Sequence, residues 1–220
     1  KIRNGLRFAL GLERMTNELK VFSSMYLAFL VATTFAGIFI NVFLFNVSGT
    51  MSTLAVYYLC YYISEGVSVY IAVKLSHRVN MSGLTVIGLV LHVIAYGLLL
   101  ITREGAIHIY PIIAILCGCG GGFFWMSYYA LLQAYTDESN RQYGVTFIAM
   151  FSSAISLVAP LISGTILVSV MGIAGYVVVF AVALVFFLIS IVFALRMKIP
   201  ESSTGKKEML MTMRSMWKKK

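Results

Sequence analysis

One acidic side chain stands alone inside a long apolar segment of the sequence. Glu65 lies near the middle of residues 53–73, where no other acidic residue occurs. A charged group at the centre of a bilayer costs roughly 3 kcal/mol on insertion scales, so such residues are functional by default. We interpret Glu65 as a protonatable site that faces an aqueous cavity, where it can bind and release a proton. The alternative is a protonated side chain that is hydrogen-bonded to a neighbouring helix.

Three further polar side chains interrupt apolar segments, namely Asn41, His92 and Gln133. Each is either a substrate contact or one partner of a structural hydrogen bond between helices. His92 lies in the middle of its segment, where a histidine that is satisfied by packing is the commoner case. All three are candidates for the lining of a substrate or proton pathway.

Aromatic residues follow a stretch that is rich in glycine. Trp125, Tyr128 and Tyr129 share one face of a helix. Such a face is suited to line a pocket for an apolar or cationic ligand. It is equally suited to form the aromatic belt at a membrane boundary. Trp125 and Tyr128 therefore join the candidate pathway residues.

The patterns of common enzyme and metal sites are missing from the sequence. Residues 118–122 lack the lysine and hydroxyl residue that follow a phosphate-binding glycine loop, and neither HExxH nor a nucleophile elbow occurs. Cys117 and Cys119 have the wrong spacing for zinc, and like Cys60 they lie in apolar segments, which favours a packing role. The sequence predicts no enzyme, no metal site and no cofactor.

Membrane helices are predicted to carry the candidate residues. Of the 220 residues, 60% are hydrophobic and 11% are charged, whereas soluble domains contain roughly a quarter of charged residues. So much apolar surface cannot be buried in a soluble core of this size, so we expect lipid around the chain. A spanning helix needs about 20 apolar residues. Six segments qualify: 21–45, 53–73, 83–101, 109–134, 143–168 and 176–195.

The basic residues predict the orientation of the six segments. With both termini and the 2–3 and 4–5 loops on one side, that side holds 16 of the 17 lysine and arginine residues, and the other side holds Arg103. Positive charge marks the cytoplasmic side. The sequence therefore predicts an all-α membrane protein with six transmembrane helices and both termini in the cytoplasm. The basic residues that give the net charge of +9 lie between and beyond the apolar segments, where they determine the orientation in the membrane. We therefore predict no nucleic-acid partner.

Small residues recur every four positions in segments 1 and 5. Those of segment 5 are Ser152, Ser156, Pro160 and Gly164. Small side chains let helices approach closely in lipid, and packing explains these stripes best. Pro160 also predicts a bend, because proline removes a helical hydrogen bond. Pro160 and Gly164 are therefore candidates for conformational change.

The two ends of the chain differ from the spans. Residues 1–20 mix polar and apolar side chains and are suited to a short amphipathic helix at the cytoplasmic surface. Residues 21–199 form the predicted transmembrane domain. Residues 200–220 are basic and form either an interfacial helix on anionic lipid or a solvated linker.

Both predicted cytoplasmic loops and segment 5 carry short motifs. The 2–3 loop has Leu75, a small Ser76 and Arg78 in the places of the motif G-x-L-A-D-R-x-G-R-K, but it lacks the glycines and the aspartate. The 4–5 loop reads TDESNR and places Asp137 before Arg141, and segment 5 contains APLISG, similar to G-P-x-x-G-G. With six spans, these motifs resemble the amino-terminal half of a major facilitator superfamily transporter.

The resemblance implies a carrier of twelve helices in two halves, each half built from inverted three-helix repeats. It implies that Arg78, Asp137 and Arg141 take part in conformational change at the cytoplasmic loops. A small solute would bind between the halves near mid-membrane, with or without proton coupling. The partners would be the bilayer, the solute and a second half beyond the truncated linker. The sequence resembles poorly characterised bacterial members of the superfamily, which implies that the chain lies in the cell membrane.

Two alternatives stay open. One is a six-helix scaffold or assembly subunit without transport activity. The other is a half-size carrier that works as a homodimer.

Overall fold

The protein is a bundle of six α-helices. The structure is a computed structural model that describes residues 15–170 and 172–197. All six helices are long and apolar enough to cross a membrane, and a 3₁₀ helix, Arg103–His108, joins the third to the fourth. The helices are α1 (Asn17–Ser48), α2 (Met51–Leu75), α3 (Met81–Thr102), α4 (Tyr110–Tyr135), α5 (Arg141–Ser169) and α6 (Ile173–Arg196).

The six predicted segments are confirmed, and no predicted bound differs from the observed one by more than four residues. Residues 17–20, which we expected before the first span, belong to α1. The remainder of the predicted amphipathic segment lies largely outside the described residues, and so does the whole of the basic segment 200–220.

Local sequence explains where several helices begin and end. Thr16 caps α1, because its Oγ1 accepts a hydrogen bond from the backbone nitrogen of Leu19 at 3.2 Å. Asn80 caps α3 in the same way, with Oδ1 2.7 Å from the nitrogen of Gly83. α1 ends at Gly49, whose φ of 69° lies in the left-handed region that favours glycine. These residues therefore define both ends of α1 and the beginning of α3.

The helices form two layers. In the front layer α2, α4, α1 and α5 lie side by side in that order, and in the back layer α3 packs on α4 while α6 packs on α1 and α3. If α1, α2 and α3 are exchanged with α4, α5 and α6 in that order, the pairs of helices named above remain the same. For example, the contact of α2 with α4 corresponds to that of α5 with α1. Because each unit has an odd number of helices, the second unit runs in the opposite direction through the bundle. This set of contacts agrees with the inverted three-helix repeats that the resemblance implies.

Glycines of α4 bring its backbone into direct contact with α2. A Cβ at Gly118 would overlap Ser64 Oγ, and a Cβ at Gly122 would overlap Ser68 Oγ and lie 2.6 Å from the Glu65 carbonyl oxygen. Both serine hydroxyls donate to carbonyl groups of their own helix, so no polar group is left unsatisfied there. Close approach of this kind stabilises helix pairs in lipid through dispersion.

The core between the two layers combines aromatic stacking with hydroxyl hydrogen bonds. Phe29 of α1 stacks on Phe124 of α4, with 3.6 Å between ring centroids. Thr85 of α3 donates to a serine hydroxyl of α4 at 2.8 Å. Ser82 donates to a carbonyl of α6, and Ser190 of α6 donates to a carbonyl of α1, both at 2.9 Å. The bonds of Thr85 and Ser190 thus join the back layer to the front layer, and the bond of Ser82 joins the two helices of the back layer, so each of these buried hydroxyls is satisfied.

α2 and α5 flank the front layer, and each packs mainly on one neighbour. They expose many large apolar side chains, including Leu59, Ile63, Leu157, Leu161 and Val168. Apolar patches of this extent are rare on soluble monomers. Together with the six spanning lengths, they indicate a lipid environment.

Candidate functional site

Three tyrosines and Glu65 occupy one face of α2. Tyr61, Tyr62 and Glu65 follow Tyr58 by three, four and seven residues, which is the spacing of one helical face. This face is turned toward α1 and α4, because Tyr58 is hydrogen-bonded to α1 and Glu65 Oε1 approaches Gly121 of α4. We call the surface that α1, α2 and α4 form beside these residues the front groove.

Gly121 leaves room for the Glu65 carboxyl group. A Cβ at Gly121 would lie 3.1 Å from Glu65 Oε1 and 3.3 Å from the Tyr61 hydroxyl oxygen. The Glu65 side chain is half-buried, and no other side chain of the described ranges forms a hydrogen bond or an ion pair with it. At Gly121 the carboxyl group therefore meets the backbone of α4, and its oxygens remain available to a ligand or a proton.

No countercharge lies near Glu65 within the six helices that the structure describes. α3 and α4 contain no charged residue. The remaining charged residues all lie within four residues of a helix end, and they are Glu18, Lys20, Lys74, Arg141 and Arg196. A charge on Glu65 must therefore be balanced by a proton, by a bound cation or by a group outside these helices.

Asn41 connects α1 to α2 further along the front groove. Its Nδ2 donates a hydrogen bond to the Tyr58 hydroxyl oxygen at 2.6 Å. Its Oδ1 is buried and has no hydrogen-bond partner among the described residues. A buried acceptor without a partner is costly, so this position favours a ligand that donates a hydrogen bond.

We call the end of the bundle that carries the α2–α3 and α4–α5 loops the basic end. Toward this end, aromatic rings fill the space between α1 and α4. Tyr26 packs on Tyr128 at 4.5 Å and on Trp125 at 6.2 Å between centroids, and Phe22 stacks on Tyr128 at 5.3 Å. Tyr129 stacks on Trp125 and is 64% exposed. Tyr128 is thus part of the contact between α1 and α4, whereas Trp125 is half-buried at its edge.

His92 and Gln133 lie apart from the front groove. The His92 ring is buried between layers, stacked on Phe187 at 5.0 Å and pressed against Gly120, with Nδ1 2.9 Å from the Gly88 carbonyl oxygen. Gln133 is exposed in the last turns of α4. The structure therefore brings only some of the predicted pathway residues together.

The predicted loop residues lie at the basic end. Arg78 and Arg141 are exposed, and no ion pair joins either of them to Asp137 in the described part of the chain. Asp137 Oδ1 instead accepts hydrogen bonds from the Ser139 hydroxyl at 2.6 Å, the Ser139 nitrogen at 2.9 Å and the Asn140 nitrogen at 3.0 Å. These hydrogen bonds hold the pKa of the Asp137 carboxyl group below its usual range, and the bond from the Ser139 hydroxyl has the largest effect.

Replacing Asp137 with alanine should loosen the turn that leads into α5. At neutral pH, hydrogen–deuterium exchange of the Ser139 and Asn140 amides should be faster in the variant than in the wild type. Because the pKa of Asp137 is lowered in the folded state, this difference should vanish as the pH falls through that pKa. The control is Glu138→Ala, a change in the same loop at an exposed residue whose side chain accepts no such bonds. Equal exchange in Asp137→Ala and the wild type would contradict the assignment.

Pro160 lies inside α5, which continues as one helix through it. The neighbouring Ser163 hydroxyl is buried and donates to the Ala159 carbonyl oxygen at 2.9 Å. A Cβ at Gly164 would lie 3.8 Å from a ring atom of Phe39 on α1, which is an ordinary van der Waals distance. That the bundle flexes at this place stays a prediction.

Sequence reasoning missed the three tyrosines and Gly121 as parts of one site. The signal was available in residues 57–65, which read YYLCYYISE and repeat a tyrosine pair every four residues before Glu65. Gly121 is harder to single out, because it is one of five small residues at positions 118–122 of α4, and these residues face two different helices, α2 and α3.

Two bacterial relatives are similar to the chain. A protein of Bacillus subtilis (strain 168) named "Uncharacterized protein YqgE" is 26% identical over 164 residues, which are 74% of this chain and 38% of that protein. A protein of Geobacillus stearothermophilus named "Uncharacterized protein in sodM 3'region" is 21% identical over 170 residues, 77% of this chain and 79% of that protein. The chain thus spans about two fifths of the length of the Bacillus relative.

No solved structure matches the chain. The sequence profile described as Major Facilitator Superfamily matches residues 19–219, which include all six helices beyond the first two residues of α1. This match agrees with the inverted three-helix repeats of the bundle. The chain belongs to the Major Facilitator Superfamily, whose members are membrane transporters.

Proposed function

We propose that the chain is one six-helix half of a secondary transporter that moves a small solute by alternating access, with Glu65 as the proton-binding group. The observation that carries this proposal is the unpaired, half-buried Glu65 carboxyl group beside Gly121, deep in a bundle without a countercharge. A carboxylate in that place is costly until a cation or a proton reaches it.

The second half would pack against the front layer. The match to YqgE supports this arrangement, because the aligned 164 residues are 38% of that protein and leave room for a second unit of the same size. The front groove would then become one wall of a central cavity between two halves. The loops at the basic end, and with them both termini, would face the cytoplasm, since positive charge is retained there.

Proton binding would change the energy of the cavity. A charged Glu65 favours a hydrated, open cavity, whereas a neutral Glu65 tolerates closure into a dry one. The titratable group that meets it at Gly121 is the Tyr61 hydroxyl, and α4 brings only glycine to that point. The contact between Asn41 and Tyr58 would close the groove toward one side of the membrane. The aromatic cluster at the basic end would close it toward the other side, and the two closures would alternate.

The experiment that tests this proposal is an uptake screen in proteoliposomes that contain the full-length protein, with and without an imposed proton gradient. We expect at least one class of small solute to accumulate faster with the gradient than without it. Liposomes with protein that was heat-inactivated before reconstitution provide the control. A complete absence of solute movement under both conditions would refute the proposal in favour of a membrane scaffold.

A further inference from the structure

We infer that the front groove binds a bulky organic monocation, which contacts the Glu65 carboxylate and the tyrosine rings of α2. This inference rests on the proposed function, since it names the class of solute that the carrier would move. Three independent features of the groove support it: its charge, its rings and its polar atoms.

The charge of the groove has one sign. Glu65 lies ten residues from the end of α2, and every lysine and arginine of the six described helices is confined to their first or last four residues. A single carboxylate in a medium of low dielectric constant attracts cations strongly and repels anions. A solute that carries one positive charge would remove the cost of keeping Glu65 ionised.

The rings beside Glu65 provide faces for a cation. Tyr58 and Tyr62 stack at 5.8 Å with 16° between their planes, and Tyr61 meets Tyr62 edge-on at 5.2 Å. Tyr62 is 62% exposed, so much of its surface is available to a ligand. A cation within about 6 Å of such a ring is attracted by the negative face of the aromatic system. Large apolar substituents on the cation would add dispersion contacts with the same rings.

α4 extends this aromatic surface across the groove. Trp125 and Tyr129 follow Gly121 by four and eight residues, which is about one and two helical turns on the same side. Their rings stack on each other at 6.1 Å, and Tyr129 is 64% exposed. The carboxyl group and the exposed rings of both helices are therefore arranged along one path through the front groove.

The polar atoms of the groove also favour a positively charged solute. Asn41 Oδ1, on the α1 side of the groove, is buried without a hydrogen-bond partner among the described residues, and it accepts hydrogen bonds but cannot donate them. A protonated amine can donate a hydrogen bond to this oxygen, and a quaternary cation can approach it through its positive charge, whereas an anion would be repelled by its partial negative charge. The groove thus presents an unpaired carboxyl group and an unpaired amide oxygen, and it presents no basic donor.

Equilibrium binding of two probes of equal shape and opposite charge tests this inference. The full-length protein in detergent is titrated with tetraphenylphosphonium and, separately, with tetraphenylborate, and ligand partitioning into empty micelles is subtracted. We expect saturable binding of the phosphonium and no saturable binding of the borate. In Glu65→Gln the phosphonium affinity should fall at least about tenfold.

Conservative variants guard against an effect of misfolding. Glu65→Asp retains the charge and should retain more phosphonium binding than Glu65→Gln. Tyr62→Phe retains the ring and should bind like the wild type, whereas Tyr62→Leu should bind about two- to tenfold more weakly. Glu138→Gln, in an exposed loop, should change nothing. Each variant is compared by its elution in size-exclusion chromatography before titration.

Three results would overturn the inference. They are wild-type protein that does not bind the phosphonium, equal binding of both probes, and unchanged affinity in Glu65→Gln. Because binding is measured at equilibrium without a gradient, its outcome is separate from that of the uptake screen. Phosphonium binding without gradient-driven transport would defeat the proposed function alone, and transport without such binding would defeat the inference alone.

Discussion

Replacing Gly122 with leucine should separate α2 from α4 and leave little folded protein. The added Cβ would overlap Ser68 Oγ and would lie 2.6 Å from the Glu65 carbonyl oxygen and 3.0 Å from the Val69 nitrogen. A hydroxyl can rotate away, but two backbone atoms of a regular helix cannot. Forced overpacking typically costs about 1–3 kcal/mol and sometimes more, and a clash with fixed backbone atoms places Gly122→Leu at the upper end of that range. The measurement is the monodisperse fraction that remains after heating in detergent, followed by size-exclusion chromatography.

Gly37 of α1 offers a matched control for Gly122. Both glycines lie inside a membrane helix, but a Cβ at Gly37 would have no neighbour within 4 Å. Gly37→Ala should therefore leave the thermal stability unchanged or raise it slightly, because alanine favours the helix, whereas Gly122→Ala should lower it. Equal melting behaviour of Gly37→Ala and Gly122→Ala would show that α2 and α4 do not pack through this glycine.

The number, length and type of the helices were predictable from the sequence, because a bilayer imposes a single requirement on each segment. About 20 apolar residues in a row must hydrogen-bond their own backbone, so they form a spanning helix. The packing order was not predictable in this way. That α2 lies on α4 rather than on α1 depends on Gly118 and Gly122 meeting Ser64 and Ser68, and a pattern of small residues does not say which partner it fits.

The candidate site was predictable only where a residue is unusual for its surroundings. Glu65 stands out because an acid in lipid needs an explanation. Tyr58, Tyr61 and Tyr62 do not stand out, since tyrosine is common near membrane boundaries, and their role as neighbours of Glu65 depends on which face α2 turns to α4. The burial of His92 between the layers likewise follows from tertiary packing, which brings Phe187 and Gly120 to its ring.

The packing of α2 on α4 and the position of Glu65 have one physical cause. Gly118 and Gly122 let the two backbones touch, and Gly121, between them, turns toward the front groove and receives the carboxyl group. A wider separation of the helices would leave Glu65 without this position. The stability of the helix pair and the chemistry of the groove are therefore linked, and a test of Glu65 itself must alter its charge while preserving its shape.

Replacing Glu65 with glutamine should remove the response of transport to a proton gradient. Glutamine has nearly the shape of protonated glutamic acid but cannot exchange a proton. We expect the ratio of uptake with the gradient to uptake without it to fall from several-fold in the wild type to about one. The measurement is initial uptake into proteoliposomes that contain equal amounts of wild-type or variant protein, with the gradient imposed by a pH jump.

Two further variants separate loss of proton binding from damage to the protein. Glu65→Asp keeps an ionisable group one methylene shorter and should retain part of the gradient response. Glu138→Gln removes a carboxyl group from the exposed α4–α5 loop and should behave like the wild type. A gradient response in Glu65→Gln equal to that of the wild type would exclude Glu65 as the proton site. Because no other acidic residue lies more than four residues inside any of the six described helices, the remaining candidates for the proton site would be His92 of α3 and groups outside these helices.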